Sequence, residues 1–115
     1  MVGKSKYNNK KVVIDGITFD SKKEGNHYNT LKTLEKSGKI SNLQTHVKYP
    51  FIYNNVRIGT LIVDFTYVDE ENNREFCVVD VKGWDKKKQK FITTAMYNIK
   101  KKMMKAFYNI EVIEV

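Results

Sequence analysis

The chain has 115 residues, a length that fits one domain with a modest core and leaves no room for two. It contains 21 lysine and arginine residues against 13 aspartate and glutamate residues, which gives a formal net charge of +8 at pH 7. Such an excess of positive charge favours a polyanionic partner. The single cysteine, Cys77, excludes an internal disulfide and is typical of a reducing compartment, and no apolar run of about 18 residues predicts a membrane span.

The first half of the chain begins with a basic arm, residues 1–11, which we expect to be flexible and to precede a single domain over residues 12–115. The arm contains Lys4, Lys6, Lys10 and Lys11. The pair Asp15-Gly16 then predicts a β-hairpin, because both residues tolerate the positive φ angles of a tight turn. A helix is predicted from about Ser21 to Ser37, with Gly38 suited to its C-terminal cap.

The second half predicts a sheet followed by a helix. Its expected strands are Val47 to Tyr53, Val56 to Val68, Glu75 to Lys82 and Ile110 to Val115, with turns at Asn54-Asn55 and at Asp69 to Arg74. The helix is predicted from about Lys87 to Phe107, with apolar positions at Phe91, Ala95, Ile99, Met103 and Phe107. This order of elements predicts an α/β fold in which helices flank a mixed β-sheet.

Asp80-Val81-Lys82 is the most informative motif, because it places two charged residues at the end of an apolar strand. Desolvating an unpaired charge costs several kcal/mol or more, so such residues need a reason to be there. Residues two apart on a strand point to the same face, so Asp80 and Lys82 are expected side by side. Lys82 fits either an ordinary ion pair or a role in chemistry.

Asp64 interrupts another apolar strand and is either a solvent-facing residue on an edge or a partner of Asp80. A hairpin centred on Asn72 places Asp64 directly opposite Asp80, and a centre at Glu71 keeps both on one face. A centre half a residue away separates them onto opposite faces. A shared site therefore requires one of the first two registers.

Glu24 has two competing interpretations. Ser21-Lys22-Lys23-Glu24 matches a capping box, in which Ser21 caps the helix and Glu24 returns a bond to the backbone. The helical period also turns Glu24 inward with Tyr28, Leu31 and Leu34, as a site residue requires. A cap can also orient the carboxylate, so both interpretations stay open.

Together these residues can hold a hard divalent cation such as Mg²⁺, which prefers oxygen ligands. The candidate ligands are Asp64, Asp80, the Val81 carbonyl and Glu24. Lys82 would orient a water molecule or stabilise developing negative charge. His27 and His46 have no zinc-like spacing, and we expect a surface or capping role for His27.

The lysines are clustered beside this motif and are candidate DNA contacts. They are Lys86, Lys87, Lys88 and Lys90 after the strand and Lys100 and Lys101 on the last helix. Lysine runs also occur as plain solvated surfaces. Trp84 either stacks on a base or covers the core.

The helical Glu24, the strand acid Asp64 and Asp80-Val81-Lys82 resemble the signature of the PD-(D/E)XK nuclease superfamily. Within that superfamily, the chain resembles small phage-encoded endonucleases related to phage endonuclease I, a Holliday-junction resolvase. Four blocks in order carry the likeness: Phe19 to Glu24, Val63-Asp64-Phe65, Val79 to Gly83, and the helix from Thr94 to Lys105. The superfamily often has proline before its first strand acid, and this chain has Val63.

The resemblance implies a restriction-endonuclease-like core and a homodimeric endonuclease of branched or duplex DNA, dependent on Mg²⁺ or Mn²⁺. It further implies a phage-encoded protein in the cytoplasm of a bacterial host. Water would attack phosphorus directly, with Glu24, Asp64, Asp80 and Lys82 as catalytic residues. Two rivals stay open: a catalytically silent DNA-binding or regulatory phage accessory protein, and a factor that binds another protein.

Overall fold

The computed structural model describes residues 10–115 and has a mixed α/β fold. The predicted basic arm, including Lys4 and Lys6, therefore lies largely outside the described residues. In chain order the elements are β1 (Val12–Ile14), β2 (Ile17–Phe19), α1 (Lys22–Lys36), β3 (Ile40–Tyr53), β4 (Val56–Asp69), β5 (Glu75–Asp80), β6 (Trp84–Asp85), β7 (Lys90–Phe91), α2 (Ala95–Tyr108) and β8 (Val112–Glu114). Neither helix in this part of the chain is long and apolar enough to cross a membrane.

The central sheet has four strands in the order β3-β4-β5-β8. Its first two pairings are antiparallel, and β8 joins β5 in parallel, so the predicted mixed sheet is confirmed. The turn between β3 and β4 is at Asn54 and Asn55, whose φ angles of 54° and 62° suit a type I′ turn. The predicted β1–β2 hairpin also forms, with Val12 opposite Phe19.

Helices cover the sheet from both sides and define two apolar clusters. On the side of α1 and the β1–β2 hairpin, the buried residues are Phe19, Tyr28, Leu31, Ile40, Phe65, Cys77 and Val79. On the side of α2 they are Phe51, Leu61, Val63, Val78, Tyr97, Met104 and Val112. Cys77 is free and buried, as a core residue. This layering places the interior of β4 around Asp64 and the end of β5 between the two helices.

Helix α1 is fixed at both ends by local contacts. The Ser21 hydroxyl accepts the Glu24 N–H at 3.1 Å, and Gly38 follows the helix with a φ of +79°. Gly25 lies against β1, because a Cβ atom there would come within 2.6 Å of Val12 Cγ2. The start of α1, which carries Glu24, is therefore held directly on the β1–β2 hairpin.

The second helix differs from its prediction. It begins at Ala95 instead of Lys87, because residues 84–91 form a small hairpin, β6–β7. The Asp85 carboxylate accepts the N–H groups of Lys87 and Lys88, which stabilises a turn at the expense of helix. Lys86, Lys87, Lys88 and Lys90 thus lie on a hairpin.

The predicted apolar face of α2 is correct only in part. Met103 packs against the core, but the buried residues are Tyr97 and Met104, and Ile99 is 54% and Phe107 39% exposed. The predicted positions are four residues apart, and each such step rotates by about 40° around the helix, so the set drifts away from one face. Strand β3 likewise begins earlier than predicted, at Ile40 instead of Val47.

Candidate metal centre

A cleft of about 600 Å³ opens where the start of α1 meets β4 and the end of β5. Its walls combine acidic and basic side chains. The lining residues are Lys10, Asp20, Ser21, Lys22, Lys23, Glu24, Ile62, Asp64, Asp80, Val81, Lys82 and Gly83. All four predicted catalytic residues, Glu24, Asp64, Asp80 and Lys82, are therefore at this one cleft.

Asp64 and Asp80 are neighbours across the β4–β5 ladder. The pairing of Phe65 with Val79, if continued by one residue, places Asp64 opposite Asp80, so the register is the one centred on Asn72, one of the two that a shared site allows. The Asp64 N–H donates to Asp80 Oδ1 at 3.0 Å, and the Val81 N–H donates to Asp64 Oδ2 at 2.8 Å. The two carboxylates thus fix each other's segment of backbone.

The segment around Asp64 interrupts the normal alternation of side chains between the two faces of β4. Val63 packs in the cluster on the α2 side, but Phe65, two positions on, packs on the α1 side. Residues two apart would share a face in a regular strand. On β3, His46 lies between the partners of these two residues and has a φ of 53°. The local change of face directs polar groups from both strands toward the cleft.

Glu24 is both a helix-end residue and a cleft residue. Its side chain is buried, with Oε1 accepting the Asp20 N–H at 3.3 Å. The predicted capping box is therefore modified, because the returning bond goes to Asp20 instead of Ser21. Glu24 Oε2 lies 2.9 Å from His46 Nε2. The cap orients the carboxylate into the cleft, so the two interpretations of Glu24 are compatible.

Among residues 10–115, Glu24, His46 and Asp64 form a group that can hold a metal ion, with one potential ligand atom from each and all atoms within 4.8 Å of one another. Asp80 is not in this group, and His46 takes the place predicted for it. His46 was not predicted as a site residue from the sequence. The turn at Asn54-Asn55 brings His46 near Asp64, but a bulge between Phe51 and Ile52 shifts the register by one residue. Turn chemistry alone does not reveal that shift.

Asp80 has a buried carboxylate oxygen whose hydrogen-bonding capacity is unsatisfied. It is 2% exposed, and within the described range its buried Oδ2 has no hydrogen-bond partner. Burial raises the pKa of Asp80, while Lys82, the Asp64 N–H and the Tyr97 hydroxyl act in the opposite direction. Asp80 contacts Asp64 through its other oxygen, and a buried carboxylate oxygen without a partner at this position fits a site built for a cation.

The Asp64 carboxylate is in an unfavourable electrostatic environment. Burial, with the charges of Glu24 and Asp80, raises the pKa of Asp64 to about 7, although the Val81 N–H and Lys82 oppose the shift. Crowded, poorly solvated carboxylates of this kind mark functional sites more often than structural ones. A divalent cation would relieve all three effects.

Lys82 lines the cleft but contacts an aromatic ring. Its Nζ lies 3.7 Å from the centroid of the Tyr97 ring, on α2. The Lys82 carbonyl accepts a hydrogen bond from Lys23 Nζ, which connects this segment to α1. Lys82 is thus beside Asp80, as predicted, and its charge lies over the Tyr97 ring.

The predicted DNA-contacting lysines occupy two regions. Lys86, Lys87, Lys88 and Lys90 are exposed on the β6–β7 hairpin, which follows the cleft residue Gly83. Lys100 and Lys101 are half-buried on α2, and Lys101 Nζ lies 3.2 Å from Glu114. Trp84 is 45% exposed and packs edge-to-face on Phe91, so it does not cover the core.

The fold and the cleft define a small basic α/β protein with a carboxylate–imidazole group that can hold a metal ion. The chain belongs to the family described as "Protein of unknown function (DUF1064)", whose model matches residues 4–113. No curated protein and no solved structure matches the chain.

Proposed function

We propose that this protein is a metal-dependent DNA endonuclease that hydrolyses phosphodiester bonds in the cleft. One observation carries the proposal: Glu24, His46 and Asp64 have ligand atoms within 4.8 Å of one another in the cleft. The net charge of +8 supports a polyanionic substrate. A chain with these properties suits phosphodiester chemistry better than the hydrolysis of neutral substrates.

The residues fit a bound divalent cation, Mg²⁺ or Mn²⁺, with Glu24, His46 and Asp64 as ligands and Asp80 and the Val81 carbonyl as further candidates. When bound, the ion stabilises charge on the phosphate and lowers the pKa of a water molecule. Asp80 holds the Asp64 backbone in place through its bond to the Asp64 N–H. Lys82 contributes positive charge next to the reacting phosphate once it leaves the Tyr97 ring.

The basic surface beside the cleft would bind the DNA backbone. The hairpin lysines follow directly from Gly83, and Lys22 and Lys23 also line the cleft, with Lys23 Nζ 5.4 Å from the centroid of the Phe91 ring on β7. Contacts of this kind fix DNA through its phosphates with little sequence preference. Lys100 and Lys101 would extend the surface along α2, with Lys101 partly neutralised by Glu114.

The order Glu24, Asp64, Asp80-Val81-Lys82 supports assignment to the PD-(D/E)XK superfamily with a restriction-endonuclease-like core. On that assignment the substrate is branched or duplex DNA, with the Holliday junction as the leading candidate. The active form is a homodimer, and the protein is a phage product acting in the cytoplasm of its bacterial host.

The test is a cleavage assay on supercoiled plasmid and on a four-way junction, with Mg²⁺, with Mn²⁺ and with EDTA. We expect metal-dependent cleavage that falls by about 10²-fold or more in Asp80→Asn and Lys82→Ala, because both change charge at the reacting phosphate. DNA binding should stay mostly intact. Glu111→Gln, outside the cleft, is the matched control and should cut normally. Cleavage by Asp80→Asn at the normal rate would contradict the assignment.

A catalytically silent DNA-binding protein is the second candidate. It is favoured by one observation, the position of Lys82 Nζ over the Tyr97 ring. Binding to both DNA substrates without cleavage in either metal would support it. Failure to bind DNA at low salt would instead favour a factor that binds another protein.

A further inference from the structure

We propose that His46 makes the metal centre select a first-row transition ion, with Mn²⁺ as the reference, over Mg²⁺. The inference deepens the proposed function and rests on its metal site, but not on cleavage. The role of His46 in metal selectivity follows from the imidazole nitrogen that it offers as a ligand.

The position of His46 is set by the backbone and by two neighbours. Its φ of 53° lies in the left-handed region, and its ring packs against Phe19 with centroids 5.7 Å apart. Nε2 is 2.9 Å from Glu24 Oε2 and belongs to the group that includes Asp64. The His46 side chain is 37% exposed, so an ion can reach it from solvent. The imidazole is therefore already placed beside both carboxylates.

The donor set decides which ions bind well. Mg²⁺ is a hard ion that prefers oxygen ligands and gives up its water reluctantly. An imidazole nitrogen favours first-row transition ions over Mg²⁺. A centre with two carboxylates and one imidazole should therefore favour Mn²⁺, while a centre of carboxylates alone would not discriminate by this route.

A simpler interpretation is that His46 only pairs with Glu24. Such a pair would stabilise the cleft without any nitrogen–metal bond. The two interpretations differ in one observable, which is the presence of a nitrogen nucleus bonded to the metal.

The test uses the full-length protein without DNA. Electron spin echo modulation of bound Mn²⁺ reports directly coordinated ¹⁴N, and competition by Mg²⁺ gives the ratio of the two dissociation constants. We expect ¹⁴N modulation and about tenfold or greater preference for Mn²⁺ in the unaltered protein.

Two variants and a control separate the roles. His46→Asn keeps a residue that tolerates positive φ and offers an oxygen donor, and His46→Gly keeps the backbone angle with no donor. Both should lose the ¹⁴N signal, and the Mn²⁺ preference should fall by about fivefold or more. His27→Asn is the control, because His27 packs on Phe65 and is not in the ligand group.

Absence of ¹⁴N modulation in the unaltered protein, or its persistence in His46→Asn, would overturn the inference. Cleavage of DNA with Mg²⁺ in a protein that shows no nitrogen signal would leave the proposed function standing and remove this inference alone. A nitrogen signal in a protein that does not cut DNA would support this inference and contradict the proposed function.

Discussion

Asp64 is a carboxylate held where its charge is poorly solvated and where Glu24 and Asp80 add repulsion. A folded-state pKa of about 7, above the ordinary value of 3.8, means that the folded chain binds a proton more tightly than the unfolded chain. The stabilising contribution of this group is therefore fully present below about pH 4 and is lost as the pH rises through 7.

This gives a prediction for the metal-free protein. Asp64→Asn should raise the melting temperature by about 4–8 °C at pH 8 and change it little at pH 4, because the amide carries no charge and can still accept the Val81 N–H. Added Mn²⁺ should then stabilise the unaltered protein but not the variant.

Thermal melts at both pH values, with EDTA or with Mn²⁺, provide the measurement. Asp69→Asn, on the same strand but outside the cleft, is the control. Its melting temperature should not rise at pH 8, and Mn²⁺ should stabilise it as it does the unaltered protein. A lower melting temperature for Asp64→Asn at pH 8 would show that the carboxylate stabilises the apo fold.

At the scale of elements, the β6–β7 hairpin is the part of the basic surface nearest the cleft along the chain. Each lysine that contacts a phosphate displaces bound counterions, so its loss lowers the slope of log affinity against log salt. Replacing Lys87 and Lys88 with serine should weaken DNA binding and reduce that slope by about 2.

Fluorescence anisotropy over a range of salt concentrations measures the slope. Lys36 and Lys39, exposed near the far end of α1, provide a matched pair for serine replacement, and the slope should stay unchanged there. An equal fall in both variants would mean that net charge alone drives binding.

Sequence patterns predicted the elements whose signals are local. Ser21 and Gly38 marked the ends of α1, and the Asn72 centre gave the correct β4–β5 register because no bulge interrupts the observed pairing of β4 with β5. His46 and the β6–β7 hairpin were missed for the opposite reason. A bulge in β3–β4 and the Asp85 side-chain bonds both depend on contacts that hydrophobic periodicity does not encode.

At the scale of the whole molecule, the β3–β4 hairpin extends beyond the part of β4 that pairs with β5. Both strands have 14 residues, but β4 pairs with β5 only from Phe65 to Asp69. Its far end is a two-stranded ribbon, and such ribbons are marginally stable alone. Apolar side chains are exposed there, at Ile52, Tyr53, Val56 and Ile58.

The homodimer implied by the resemblance would use this ribbon, since a second copy can cover its apolar side chains and free edges. We expect light scattering after size exclusion to give a dimer mass for the unaltered protein and a monomer mass for Ile58→Glu. Val13→Glu changes an exposed apolar residue on the β1–β2 hairpin and should stay dimeric. A dimer mass for Ile58→Glu would rule out the ribbon as the interface, and a monomer mass for the unaltered protein would rule out the homodimer.

The parallel pairing of β5 with β8 also has a consequence for the order of events during synthesis. Val115 accepts the Lys82 N–H at 2.9 Å, and its own N–H donates to the Asp80 carbonyl at 3.0 Å. These bonds cannot form until residue 115 has left the ribosome, long after Asp80 itself has emerged. A nascent chain can therefore pair Asp64 with Asp80 across β4 and β5 first, whereas the backbone from Asp80 to Lys82 gains these two bonds only when β8 docks beside β5.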